Sequence, residues 1–482
     1  MLIRRKLGEE FYTLFPELVD DDYTFAMIYH TVQKRTISFV SASSRLFHKA
    51  MLGKLILGAI AFLAVACNSQ VSRTKVVCYY DSKGNFRDGQ ARFENTFLAE
   101  PLQFCTHLIY GYAGINPSTY KLVPLNEQFD VTRDNYRQIT NLKLRYPGLR
   151  VLLSVGGGRD SEDKEKYLTL LESVEHRLAF INSAHTLLKS YGFDGLDLAW
   201  EFPPNKPKKI RSTLGSIWSS VKHTFVDPSQ IDEKAAEHKE EFTALVRETR
   251  NAFRHDGLLL TMSVLPNVNS TMFHDVHALV PNLDFVNLWA FDYYTPERNP
   301  KEADYPAPLH ELIDRKFDEN GNYLVQYWLQ NGAPNNKLIL GIPTYGRTWK
   351  MTDDSGLTGV PPISDIKGAG DAGPYTKEEG LLSYQEVCAK LTNPNNVKGG
   401  SVLRKVGDPS GKFGTYAYHI ADDDNYGTWV GYEDPDTAGN KATYVRSKGL
   451  GGIAIVDLTL DDFRGLCTGN KYPILRAAKF RL

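Results

Sequence analysis

The residues with the clearest chemical potential form one acidic run, Asp194-Gly195-Leu196-Asp197-Leu198-Ala199-Trp200-Glu201. In a β-strand alternate residues share a face, so Asp197, Ala199 and Glu201 line up while Leu196, Leu198 and Trp200 point the other way. A carboxylate buried in a sheet is costly without partners, which makes simple core packing a poor explanation. At the C-terminal end of a parallel strand such a group reads as a catalytic acid or a ligand anchor. Asp292 closes a second run, Trp289-Ala290-Phe291-Asp292, and Trp289, Tyr293 and Tyr294 could offer stacking surface, though aromatic residues at a strand end are about as often packing. The 12 histidines are scattered without the spacing of a metal site, and Ser154-Val155-Gly156-Gly157-Gly158 lacks the rest of a phosphate or dinucleotide fingerprint. Neither a metal nor a cofactor is expected.

The elements that must hold these groups follow a repeating beat. Apolar runs begin at Lys75, Cys105, Arg150, Gly192, Leu258, Phe285, Lys337 and Gly451. They are apolar on both faces, as parallel strands covered by helices are. Ile181, Ala184, Leu188 and Tyr191 form a helical stripe that stops at Gly192, and Phe242, Leu245, Val246, Thr249 and Phe253 form another that stops at Asp256-Gly257. Eight strands with helical connections predict an α/β fold, a (β/α)8 barrel, over an open sheet. The barrel is assigned to 75–348 and 433–482, with a small α+β insertion at 349–432 between the seventh and eighth strands. A second long connection, 203–229, carries Lys206, Lys208, Lys209 and Arg211. These suit sulfated glycans, though a solvated loop is the simpler reading.

With 56 Lys+Arg against 57 Asp+Glu the chain lacks the cationic excess that holds nucleic acid. Its apolar stretch Leu55–Ala66 is far short of the ~20 residues that span a bilayer, so no membrane anchor is expected. Met51 and Lys54 precede that stretch and small residues follow at Ala64 and Ala66, the anatomy of a secretory signal peptide over 51–67. Residues 1–50 show no sustained period and read as a non-native extension; a short buried helix, or a lipid anchor on Cys67, are the competing readings. Cleavage after Cys67 leaves Cys78, Cys105, Cys388 and Cys467, an even set suited to two disulfides in an oxidising compartment. Asn269-Ser270-Thr271 is an acceptor for N-glycosylation.

The acidic run resembles the D-G-x-D-x-D-W-E signature of the family 18 glycoside hydrolases, departing from it at Ala199. The resemblance extends from about Lys75 to the C-terminus. It takes in Ser154–Gly158, Gly341-Ile342-Pro343-Thr344-Tyr345-Gly346-Arg347, Trp429-Val430-Gly431-Tyr432 and Asp461-Asp462-Phe463. It implies the pairings Cys78–Cys105 and Cys388–Cys467. It also implies that Glu201 stands where the family's acid protonates the glycosidic oxygen, the nucleophile being the substrate's own N-acetyl oxygen. The Asp expected at 199 would fix the acetamide and couple to that acid; alanine has no acceptor. Asp197, whose Cα lies roughly 13 Å along the strand from that of Glu201, cannot replace it. Losing one preorganised group of this kind commonly costs about 3–4 kcal/mol. Phe291 stands where active relatives carry a Tyr that holds the N-acetyl group, and Val456 where they carry the Trp that floors the sugar.

The opening Lys75-Val76-Val77-Cys78-Tyr79-Tyr80-Asp81, the basic connection and the altered signature are similar to the insect imaginal disc growth factors, a chitinase-like branch of that family. This implies a secreted, extracellular monomer without catalysis. Asp194, Asp197, Glu201 and Asp292 would be remnants, and Trp289, Tyr293 and Glu201 candidate contacts to a chitin-like or glycoprotein oligosaccharide. It further implies growth-factor action through a cell-surface receptor. The alternatives are a working chitinase, with Glu201 as acid and Asp292 as auxiliary, and a lectin that binds without signalling.

Overall fold

The computed structural model describes residues 74–160, 163, 165–205, 232–392, 402–422 and 425–482. The expected extension and signal segment, and the basic run Lys206 to Arg211, lie outside the described residues.

Eight parallel strands form the barrel: β1 Lys75–Asp81, β2 His107–Ile115, β3 Arg150–Gly156, β4 Gly195–Ala199, β5 Leu259–Val264, β6 Phe285–Leu288, β7 Leu338–Pro343 and β8 Gly452–Val456. Neighbours pair in parallel, with one register shift between Tyr110 and Ala113 where β2 meets β3, and β8 returns to pair with β1, so the sheet closes with no open edge between first and last strand. Strand alternation sorts the side chains. Val77, Tyr79, Ile109, Leu152, Phe285, Ile339 and Ala454 fill the interior, while Val76, Cys78, Tyr80, Leu108, Leu153, Leu196 and Ile453 join the larger core beneath the helices. Trp200 belongs to the outer core, edge-on to Tyr167 and Phe180.

The two expected stripes are the buried faces of α1 Val174–Tyr191 and α2 Ala235–Phe253. Ser173 caps α1 by accepting the His176 amide, and Gly192 ends it at φ 76°, a left-handed turn that glycine takes without a Cβ penalty. Helices α3 Gly321–Gln330 and α4 Pro435–Ser447 start on Asn320 and on an Asp434–Thr437 capping box. The last, α5 Pro473–Arg481, starts under Asp461, whose carboxylate accepts the Leu475 amide at 3.2 Å.

Between β7 and β8 lies an antiparallel sheet built on the strands Tyr345–Met351, Thr415–His419 and Gly427–Tyr432, with a helix at Tyr384–Thr392. It begins at Tyr345 rather than at 349, because only Thr344 separates its first strand from β7. Disulfides join Cys78 to Cys105, tying β1 to the approach to β2, and Cys388 of the insertion helix to Cys467 beyond β8.

Candidate functional site

The third strand runs into three consecutive glycines with positive φ: Gly156 at 88°, Gly157 at 67° and Gly158 at 74°. Their turn passes so close to its neighbours that side chains are excluded. A Cβ on Gly156 would stand 2.4 Å from the Ala199 carbonyl oxygen, and one on Gly157 would stand 2.2 Å from the Tyr112 ring. The close approach brings backbone amides to the acid. Glu201, 4% exposed, accepts the Gly158 amide at 3.0 Å and the Asp160 amide at 3.2 Å through Oε1. Asp160 is itself held by Lys166 Nζ (2.6 Å), Tyr167 Oη (2.8 Å) and the Ile115 amide (2.8 Å).

Asp197 points into the barrel, where it is fully buried and accepts from five side chains. These are Thr261 (2.6 Å), Ser154 and Ser263 (2.9 Å each), Tyr79 and Asn287 (3.3 Å each). Burial raises its pKa, and the hydrogen bonds from Thr261, Ser263, Ser154 and Tyr79 pull it back down. Asp194 is at the other end of the molecule. Its carboxylate accepts the Val151 amide (2.8 Å) and pairs with Lys143 (3.2 Å) and Arg150 (3.6 Å) on the N-terminal side of β3 and β4. The expectation that Asp194 is a remnant of the active site is therefore corrected: it is a clasp between strand ends, because it precedes β4 rather than following it.

Asp292, at φ 56°, is clamped by Arg347, whose Nε and Nη2 lie 2.8 and 2.6 Å from its two oxygens; Tyr345 donates to it at 2.7 Å. Arg159 pairs with Asp81 at 2.9 Å across the end of β1. Neither cation was singled out from sequence, although Arg347 closes a quoted motif and Arg159 follows the glycines directly. Beside Asp81, Asp457 follows β8 and is lifted to about 6, first by burial and then by the Asp81 charge.

These groups surround a cavity of about 270 Å³ at the C-terminal mouth of the barrel. Glu201, Asp292, Trp289, Phe291 and Val456 line it together with Tyr112, Arg159, Arg347, Glu378 and Asp457. Trp289 stacks on Phe291 at 5.6 Å and meets Tyr79 edge-on at 5.2 Å. Tyr293 and Tyr294, expected as stacking surface, do not line it. They are 8% and 4% exposed within the outer core, because the chain leaves β6 at Leu288 and strict alternation no longer applies. Asn269 caps the short helix Ser270–Phe273, its Oδ1 accepting the Thr271 and Met272 amides.

Residues 75–461 match the family model described as glycosyl hydrolases family 18. The chain belongs to this family. Within it, the chain is 57% identical to the chitinase-like protein Idgf4 of Glossina morsitans morsitans over 89% of this chain and 98% of that one. It is 52% identical to the imaginal disk growth factor 6 of Drosophila melanogaster, covering 86% and 94%. Among solved structures it is similar to human YKL-39, described as a pseudo-chitinase with retained chitooligosaccharide binding. The TM-score there is 0.66 at 26% identity, covering 85% of this chain and 99% of that one. Among the described residues no helix is long and apolar enough to cross a membrane.

Proposed function

We propose that this chitinase-like protein is secreted, does not hydrolyse glycosidic bonds, holds an oligosaccharide in the barrel mouth and acts outside the cell as a growth factor. One observation carries the loss of hydrolysis. The acid Glu201 is held in place, yet the position two residues before it is the methyl of Ala199, and the same cavity presents Phe291 and Val456. Substrate-assisted cleavage needs the acetamide oxygen driven onto the sugar carbon and the charge it develops to be stabilised. A methyl and a phenyl ring supply no hydrogen bond for either task. Asp197 offers no substitute, since its oxygens are engaged inside the barrel.

Oligosaccharide holding is supported by the cavity, the Trp289 indole on its wall and the binding named for YKL-39. Growth-factor action through a receptor is supported by the names of the imaginal disk relatives. Asn269 is proposed as a glycan acceptor: its Oδ1 caps a helix while Nδ2 is the atom to be modified.

The mature protein is expected to release no product from N-acetylglucosamine oligomers between about pH 4 and 8, while titration calorimetry registers binding. Brisk turnover would instead establish the working chitinase that Glu201 and Asp292 could still serve, and a flat calorimetric trace would remove the sugar-holding role.

A further inference from the structure

The cavity wall is rich in ionisable side chains. Among the described residues, apart from the Trp289 indole, every polar side chain lining it is ionisable: Tyr112, Tyr345, Arg159, Arg347 and the carboxylates Glu201, Asp292, Glu378 and Asp457. The two guanidiniums are already committed. Arg347 forks onto Asp292 at 2.8 and 2.6 Å, and Arg159 lies 2.9 Å from Asp81, which stands just behind the wall. Once these pairs are formed, the charge that the described residues turn to the cavity is negative. Glu378 reaches it from the insertion and lies close enough to both arginines to feel their charge. Asp457 reaches it from the end of β8, its Oδ1 accepting the amide and hydroxyl of Thr459 at 2.6 and 2.5 Å.

A second observation, independent of the carboxylates, concerns the apolar side chains beside them. Phe291 and Val456 line the cavity and Ala199 lies buried two residues before Glu201, and none of the three side chains can make a hydrogen bond to an acetamide. Trp289 keeps an aromatic face on the same cavity, stacked on Phe291 and braced by Tyr79. A sugar ring has a surface to lie on, and the wall offers an ammonium several carboxylates while its apolar side chains offer an acetyl group no hydrogen bond.

We infer that the cleft selects the free amine over the acetamide: its ligand is a glucosamine-containing, deacetylated chito-oligosaccharide whose ammonium sits between Glu378 and Asp457 above the Trp289 indole. This rests on the sugar-holding reading and specifies which sugar. An ammonium beside Asp457 relieves the unfavourable burial of that carboxylate and its repulsion from Asp81. The ring contributes stacking area, and the indole face also attracts the cation.

The test is calorimetric titration of the mature protein, near pH 6 and at low salt, with glucosamine pentamer and with N-acetylglucosamine pentamer. The amine is expected to bind at least about tenfold tighter, equivalent to about 1.4 kcal/mol, and to weaken more steeply as salt is raised. Equal or tighter binding of the acetylated pentamer overturns the inference and leaves the sugar-holding cleft intact. No binding of either pentamer removes both. In Glu378→Gln and Asp457→Asn the ratio of the two affinities should fall about tenfold. An unchanged ratio in both would mean that the amine associates elsewhere on the surface, which also overturns the inference. Glu378 is exposed, so its variant carries the test even if the buried Asp457→Asn does not fold.

Discussion

Five donors converge on Asp197, and removing their acceptor would leave several hydroxyls and an amide stranded in a closed barrel. Asp197→Ala is expected to cost about 3 kcal/mol, read as a fall in urea midpoint, with Asp197→Asn milder because one acceptor oxygen survives. Asp194→Ala should be far gentler, since its partners lie at a partly exposed rim. Equal losses at the two positions would contradict the placement of Asp197 alone at the barrel centre. At Ala199 the consequence is chemical rather than structural. Ala199→Asp combined with Phe291→Tyr and Val456→Trp is expected to give measurable release from N-acetylglucosamine oligomers; complete inactivity of a folded triple variant would mean that more of the cavity has changed than these three side chains. The alternation that placed Asp197 inside and Leu196 and Leu198 outside was legible from a five-residue strand, and Trp200 just beyond its end joins the outer side. The partners of Asp292 and Asp81 were not, because Arg347 comes from the first strand of the insertion and Arg159 from the turn after β3, and only the closed fold brings them together. Of the two readings open for Tyr293, packing is the one the fold takes, because beyond Leu288 the backbone turns and Asp292 itself adopts a positive φ.

Among the elements, the glycine turn after β3 and the final helix are the most exacting. Gly157→Ala would press a Cβ into the Tyr112 ring at a left-handed φ, with an expected loss of about 3 kcal/mol from strain and overpacking together. Glycine at 157 is thus required by the approach of the turn to Tyr112. A variant as stable as the parent would show that the turn can relax outward. At the start of α5, burial lifts Asp461 to about 7, well above its ordinary 3.8. The folded chain therefore keeps a proton that the unfolded chain releases, and this contribution to stability is present at acid pH and lost as pH rises from about 4 to about 7. Asp461→Asn should flatten that decline, measured as urea midpoints at pH 5 and pH 7.5; identical pH profiles for parent and variant would exclude the assignment. The helices themselves were readable from their stripes and their terminal glycines. The start of the insertion was not, since Tyr345 to Met351 continues directly from β7 with no turn signal between the two strands.

For the whole molecule, the insertion is stitched to the barrel at several points. The Tyr384 amide meets the Thr344 and Leu460 carbonyls, the Leu309 and His310 amides meet the Lys412 carbonyl, and Cys388 is bonded to Cys467. Barrel and insertion are accordingly expected to melt in one calorimetric transition with the disulfides intact, and two resolved transitions would show that the insertion is thermodynamically separate. Eight apolar runs made the closed architecture legible in the sequence, whereas these stitches depend on loops whose contacts carry no periodic signal. The return of β8 to β1 has a further bearing on how the molecule is assembled. During vectorial synthesis one flank of the first strand waits for nearly four hundred residues before its mate emerges from the ribosome. The bond from Cys78 to Cys105 spans a separation of 27 and can form while that flank is bare. The bond from Cys388 to Cys467 reaches past β8, so its half-cystines are both available only after the ring has the means to shut. For the secreted protein proposed above, the order of oxidation would thus become a clock for barrel closure: an early clasp on the nascent chain, and a late latch on the finished one.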